Sequence, residues 1–351
     1  MAKKKNKKTK LLRWILMTAI AFALFSGIAL YSYYKKVYHS NIQHIENNYL
    51  YIPSGSTFDD VIAVVNDAEI LIDKASFEWV AKKMEYDKAI KPGRYEIHAG
   101  MSNHDLVSLL RSGKQSPIRF TFSSLRSVDR LAGMAGSKFE CDSISIMSLL
   151  SNTEYIDSLG FTKASLPSLF IPNTYEFYWN TSARQFVDRM FTEHQTFWNE
   201  KRLSRLKELG LSKTELVTLA SIVEKETNKN DEKAIIAGVY VNRLRDDWKL
   251  EADPTLVFAN GDFTIKRVLN IHKEIDSPYN TYKYLGLPPG PICIPSIASI
   301  EASLNFKNHN YYFFCAREDF SGYHNFAEDY RTHLQNAKKY QRELSKRNIN
   351  S

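Results

Sequence analysis

Two glutamates separated by one residue, Glu224 and Glu226, lie in the run Leu219-Ala-Ser-Ile-Val-Glu-Lys-Glu-Thr227. A carboxyl group beside apolar side chains resists ionisation, so it can hold a proton near neutrality and give it to a departing oxygen. That is the chemistry of breaking a glycosidic bond. Further on, Glu251-Ala-Asp-Pro-Thr255 brings Glu251, Asp253 and Thr255 into one short stretch, read as a loop on its rigid proline. Asp276 to Ser296 then reads DSPYNTYKYLGLPPGPICIPS. Its tyrosines, Tyr279 and Tyr282, could stack on sugar rings, while Asn280 and Thr281 could hydrogen-bond hydroxyls. A loop of this length, rich in proline and aromatics, is how a protein lines a polar cleft.

The elements that must position these groups can also be read. Ser212 and Glu215 have capping-box spacing and start a helix over Lys213 to about Asn228. Leu216, Leu219, Ala220 and Val223 recur on one face of it. Glu224 and Glu226 then fall on opposite flanks of that apolar stripe, and Lys225 points to the far side. The periodicity does not choose between the two acids. A second helix ends near Arg245.

The net charge of +8 is local. The first 40 residues hold nine lysines and arginines and no acid, which leaves −1 for the other 311. The main body is therefore not a basic nucleic-acid binder. Trp14 to Tyr34 is 21 residues without a charge, enough to cross the roughly 30 Å of a bilayer core. Seven positive charges precede it and two follow, which predicts a single-pass anchor with residues 1–13 as a basic cytoplasmic tail and the rest outside. The run exceeds the roughly 7–15 apolar residues of a cleaved signal peptide. Cys141, Cys293 and Cys315 are odd in number and show no metal spacing, and neither do the histidines, so no metal site and no cofactor is expected.

The expected organisation beyond the anchor at 14–34 is a connector over 35–46, a small α+β module over 47–115, an intermediate cleft-forming region over 116–205 and a catalytic region over 206–345. The module reads as a strand from Asn48, helices over Thr57 to Asn66 and Lys74 to Met84, a strand over Arg94 to Ile97, and a helix capped by Ser102 and stopped by Gly113.

Together with Glu224-Lys-Glu-Thr227, the segments Ala237-Gly-Val-Tyr-Val-Asn-Arg-Leu244, Asp253-Pro-Thr255, Ser277-Pro-Tyr-Asn-Thr-Tyr282, Gly286-Leu-Pro-Pro-Gly-Pro291 and His324-Asn-Phe326 closely resemble the YceG-like family of endolytic murein transglycosylases. Phe170-Ile-Pro-Asn-Thr-Tyr175 fits the same pattern, and residues 47–115 resemble its LysM-like module. The resemblance implies an α+β ectodomain with a LysM-like subdomain and a larger catalytic domain, anchored in the cytoplasmic membrane. It implies cleavage of MurNAc–GlcNAc bonds in nascent peptidoglycan strands to give 1,6-anhydro ends, with peptidoglycan synthases as possible neighbours.

The resemblance also implies that the first glutamate of the motif, Glu224, is the catalytic acid/base, with its carboxyl desolvated and Glu226 orienting. Substrate contacts are expected from Glu226, Asn242, Arg243, Glu251, Asp253, Thr255, Tyr279, Asn280, Thr281, Tyr282 and His324, the last with a structural role as the other option. Departures from the family pattern fall at Glu251-Ala252, Asn173 and Tyr323, and Glu251 adds a charge near the cleft. Two alternatives remain on the residues: a lysozyme-like hydrolase using Glu251 or Asp253 as second carboxylate, or a tethered, non-catalytic peptidoglycan-binding scaffold.

Overall fold

A computed structural model describes residues 2–43, 48–265 and 267–347. It is a helix-rich α+β protein whose chain divides into two compact units, one of residues 1–118 with 177–180 and one of residues 119–176 with 181–351.

The first unit opens with α1 (Ala2–Tyr38). Over Lys7–Tyr38 this helix is long and apolar enough to cross a bilayer, and its apolar side chains from Leu11 to Tyr34 are exposed. The helix runs to Tyr38, so the expected connector at 35–46 begins as helix; residues 44–47 lie outside the described residues. Its last turn is pinned in place: Val37 is buried in the unit's core, and Asn103 Nδ2 donates to the Lys36 carbonyl at 2.9 Å.

Next come β1 (Tyr49–Ile52), α2 (Phe58–Asp67), α3 (Lys74–Lys83), β2 (Gly93–Glu96) and α4 (Asn103–Ser112). β1 and β2 pair antiparallel, Tyr49 opposite Glu96 and Ile52 opposite Gly93. Thr57 and Ser102 close reciprocal capping boxes with Asp60 and Asp105, which satisfies helix-start amides; Ser102 is the expected cap, whereas Thr57, expected as the first residue of its helix, caps it from outside. Gly113 ends α4 at φ +72°, a conformation that costs glycine little. Ile52, Val61, Val65, Phe77, Tyr95 and Leu106 meet in one core.

β3 (Ile118–Thr121) leads into the second unit. There α5 (Val128–Gly136), α6 (Ser143–Ser151) and α7 (Thr153–Ser158) precede β4 (Thr174–Phe177), which pairs with β3. Then follow α8 (Ala183–Phe197), α9 (Glu200–Leu209), α10 (Lys213–Glu226), α11 (Asn230–Arg245), α12 (Asp253–Asn260) and α13 (Ile297–Leu304). A hairpin of β5 (Phe313–Ala316) and β6 (His324–Ala327) and the final α14 (Tyr330–Lys346) complete it.

The axis of this unit is α10. The expected single apolar stripe is not what the fold uses: every residue from Leu216 to Val223 is buried. Leu219, Ile222 and Val223 pack with α11, while Leu216, Val217 and Ala220 pack towards α9 and α13. A helix apolar on all sides belongs inside, and α10 is enclosed by its neighbours. It stops at Glu226, two residues short of the expected Asn228, where Thr227 turns extended. A second correction concerns Asp253-Pro-Thr255, which is not loop but the first turn of α12, where Pro254 loses no helical hydrogen bond.

Candidate active site

Because α10 is buried almost to its end, both glutamates leave it in crowded surroundings, and their partners decide their charge. Glu226 comes last. Its Oε1 accepts a hydrogen bond at 2.5 Å from the Tyr240 hydroxyl, carried on the buried face of α11. Its carboxyl lines a cavity of about 420 Å³ with Lys225, Arg126, Asp253, Phe258, Phe263 and Arg267 among the walls. The residue keeps some exposure because it opens to that cavity. Desolvation lifts its pKa from 4.5 to about 7; the Asp253 charge adds to the rise, while the Tyr240 hydrogen bond and the Arg243 guanidinium oppose it.

Glu224 lies in a different setting. Lys233 Nζ is 3.1 Å from its Oε2, with side-chain exposures of 6% for the lysine and 13% for the glutamate. The Ser296 hydroxyl donates to the same oxygen at 2.5 Å, the Ser296 amide at 3.3 Å, and the Ser299 hydroxyl donates as well. Burial alone would raise its pKa, but the hydrogen bonds from Ser296 and Ser299 and the Lys233 ammonium outweigh it and hold the carboxyl below its ordinary value. Both carboxyls are therefore desolvated, Glu224 as expected, but only at Glu226 does burial outweigh the groups that favour the charged form. Lys225 does not point away either, since it shares the cavity with Glu226.

The other expected contacts separate into two groups. Asp253 lines the cavity, and its Oδ1 accepts from the Tyr282 hydroxyl at 2.6 Å. Tyr279 packs its ring, tilted, against the cavity residue Phe258, ring centroids 4.6 Å apart. The remaining side chains make their bonds within the protein. Asn280, fully buried, donates to the Lys273 and Ile275 carbonyls and so staples its own loop. Thr281 and Thr255 share a buried hydroxyl contact of 2.8 Å that joins this loop to α12.

Asn242 donates to the His309 and Tyr311 carbonyls, and Arg243 to those of Tyr312 and Leu250. Glu251 is exposed, at φ +50°, and 3.7 Å from Arg243. His324 pairs through Nδ1 with Glu232 at 2.9 Å, and its amide donates to the same carboxylate. None of these four side chains lines the cavity beside Glu226.

The YceG-like family model matches residues 50–339. The chain belongs to the YceG-like family. Two relatives named endolytic murein transglycosylase are similar to it. The protein of Streptococcus pneumoniae serotype 2 (strain D39) is 28% identical over 298 residues, covering 75% of this chain and 53% of the relative. That of Bacillus subtilis (strain 168) is 26% identical over 283 residues, covering 76% of this chain and 78% of the relative. The chain thus spans about half the length of the pneumococcal relative. A crystal structure of a YceG-like protein from Listeria monocytogenes aligns with a TM-score of 0.55 at 26% identity, covering 82% of this chain and 97% of that one.

Several residues around the YceG-like motif escaped the sequence reading. Tyr240 lies within the motif Ala237–Leu244, but only the packing of α11 on α10 shows that its hydroxyl reaches Glu226. Gly238 is part of that packing: a Cβ there would sit 2.4 Å from the Lys307 carbonyl oxygen. In the sequence Ser296 only ends the proline-rich stretch; in the structure it caps α13, and the role of Ser296 and Ser299 towards Glu224 has no local signature. Arg126 and Phe263, which stack at 4.5 Å, come from segments with no motif at all.

Proposed function

We propose that this protein is a membrane-anchored murein transglycosylase in which Glu226 is the proton donor and acceptor. What carries the assignment is a carboxyl whose pKa burial lifts to about 7, on a residue that lines a cavity large enough for sugar rings. A pKa near the working pH gives appreciable amounts of both the acid and its conjugate base.

In this reading, protonated Glu226 gives its proton to the oxygen between MurNAc and GlcNAc as the C1–O bond breaks. The sugar passes through an oxocarbenium-like state. Glu226, now a carboxylate, takes the proton of the C6 hydroxyl of the same MurNAc as that oxygen attacks C1. A 1,6-anhydro ring forms and the acid is restored. The nucleophile is carried by the substrate itself, so no second carboxylate is required and little translational entropy is lost. Tyr240 orients the carboxyl. Glu224 is proposed not as the acid but as the charged clamp that fixes the end of α10.

The names of the two relatives support peptidoglycan as the substrate. The long apolar helix supports a single-pass anchor, and the basic residues before it support an N-terminus in the cytoplasm. The βααβ order of the first unit supports a LysM-like module that holds glycan near the membrane.

Asp253 gives the lysozyme-like alternative a specific footing, since it shares the cavity with Glu226. Mass spectrometry of products from purified glycan strands decides between them. Transglycosylation gives ends lighter by one water than the reducing ends of hydrolysis, and Glu226→Gln should lower their yield by about 10²–10⁴-fold. Reducing ends only, or full activity in Glu226→Gln, would refute the reading.

A further inference from the structure

The cleft beside Glu226 has a neighbour. A second cavity, of about 340 Å³, shares Arg126, Phe258 and Ile292 with it as a common wall. Its size falls in the range of small-molecule sites, roughly 300–1,000 Å³. Its interior is mainly apolar, with Met147, Leu150, Ile156 and Leu166 on α6, α7 and the turn that follows, and hydroxyls only from Ser127, Ser151 and Thr153. Its charges are on exposed residues: Lys163, Asp129 and, in the common wall, Arg126.

Such a pocket does not suit more of the same sugar chain. A glycan strand is linear and continues along a groove, and most of its hydroxyls would lose their hydrogen bonds against the mainly apolar walls. A walled apolar pocket beside the groove suits a substituent that branches from the strand. Among the sugars of peptidoglycan, MurNAc carries one. It is the 3-O-lactyl group and its peptide stem, with methyl groups along the chain, free carboxylates, and an amine on the third residue. The methyls match the apolar walls, the carboxylates match Arg126 and Lys163, and the amine matches Asp129.

We propose that this second cavity is a stem-peptide subsite, which takes the lactyl group and first stem residues of the MurNAc held beside Glu226. It makes the enzyme selective for strands that still carry their stems over strands stripped of them. The inference rests on the reading of the Glu226 cleft as one that holds MurNAc.

Binding tests it independently of the reaction. The probes are a muramyl tripeptide and free N-acetylmuramic acid, titrated calorimetrically into the full-length Glu226→Gln protein in lipid nanodiscs. The tripeptide should bind tighter by about tenfold or more, equivalent to about 1.4 kcal/mol. Adding Met147→Trp, which fills the pocket, or Lys163→Glu, which reverses an exposed charge without touching the core, should remove most of that advantage. Equal affinity for the two probes, or an advantage that survives Lys163→Glu and Met147→Trp alike, would overturn the subsite. If the stem dependence holds but the unmutated protein releases no anhydro ends from intact strands, the reaction reading fails and the subsite stands.

Discussion

At the end of α10, Glu224 faces an ammonium and two hydroxyls, whereas Glu226, two residues on, faces one phenol and a cavity. The residue type and the helix are the same, but Glu226 is the more deeply buried carboxyl. The supply of groups that stabilise a negative charge differs as well. Lys233, Ser296 and Ser299 over-supply it at Glu224, and Tyr240 under-supplies it at Glu226. Burial alone therefore does not make an acid; burial without compensation does.

The largest effect should come from the uncompensated side. Glu226→Gln keeps the shape and the Tyr240 contact but cannot deliver a proton. Product formation should fall by about 10²–10⁴-fold, measured by mass spectrometry, with the melting temperature held or raised. Next comes the compensated side. Glu224→Gln leaves the Lys233 ammonium buried without its partner, so urea unfolding should show a loss of about 3–5 kcal/mol. Activity per folded molecule should suffer far less than in Glu226→Gln. If Glu224→Gln abolished cleavage while leaving stability untouched, the comparison would be inverted.

The two acids should also divide the pH dependence of stability. Glu226 has its pKa raised in the folded state, so its contribution is full below pH 4.5 and is lost as the pH rises towards about 7. Glu224 has its pKa lowered, so its contribution is present above its ordinary value and is lost as the pH falls below it. Denaturation curves of the two Gln variants against the unmutated chain should diverge in opposite directions. Glu226→Gln should gain relative stability towards pH 8, and Glu224→Gln should lose its disadvantage towards pH 3.

Smaller effects come from the neighbours. Tyr240→Phe removes a hydrogen bond that favours the charged form of Glu226, so the alkaline limb of the pH–rate profile should move up. Asp253→Asn removes a charge that opposes ionisation, so the same limb should move down, with the rate at its optimum reduced by less than about tenfold. An Asp253→Asn protein without activity would favour hydrolysis by two carboxylates.

Local signals carried much of this into the sequence. The capping box at Ser212, the cap at Ser102, the stop at Gly113 and the strands around Tyr51 and Arg94 were all readable, because each is settled within a few residues. The candidate site was readable as a region and not as an arrangement. The i, i+3, i+4 count marked one face of α10, but Val217, Thr218, Ser221 and Ile222 are buried too, and no single-helix pattern reveals enclosure by three neighbours. The charges of Glu224 and Glu226 depended on Lys233, Tyr240, Ser296 and Ser299, as many as 75 positions away. In the same way Asn280 and Thr281 have the chemistry of sugar ligands, yet their hydrogen bonds are spent on holding the loop.

The central claim is that Glu226 holds its proton to near neutrality. Infrared difference spectra between the unmutated chain and Glu226→Gln, recorded across pH, isolate the protonated carboxyl stretch of this residue. The band should persist through pH 5 and disappear around pH 7, with no such band in the corresponding Glu224→Gln difference. A Glu226 band already gone at about pH 5, or a neutral-range band belonging to Glu224, would contradict the account.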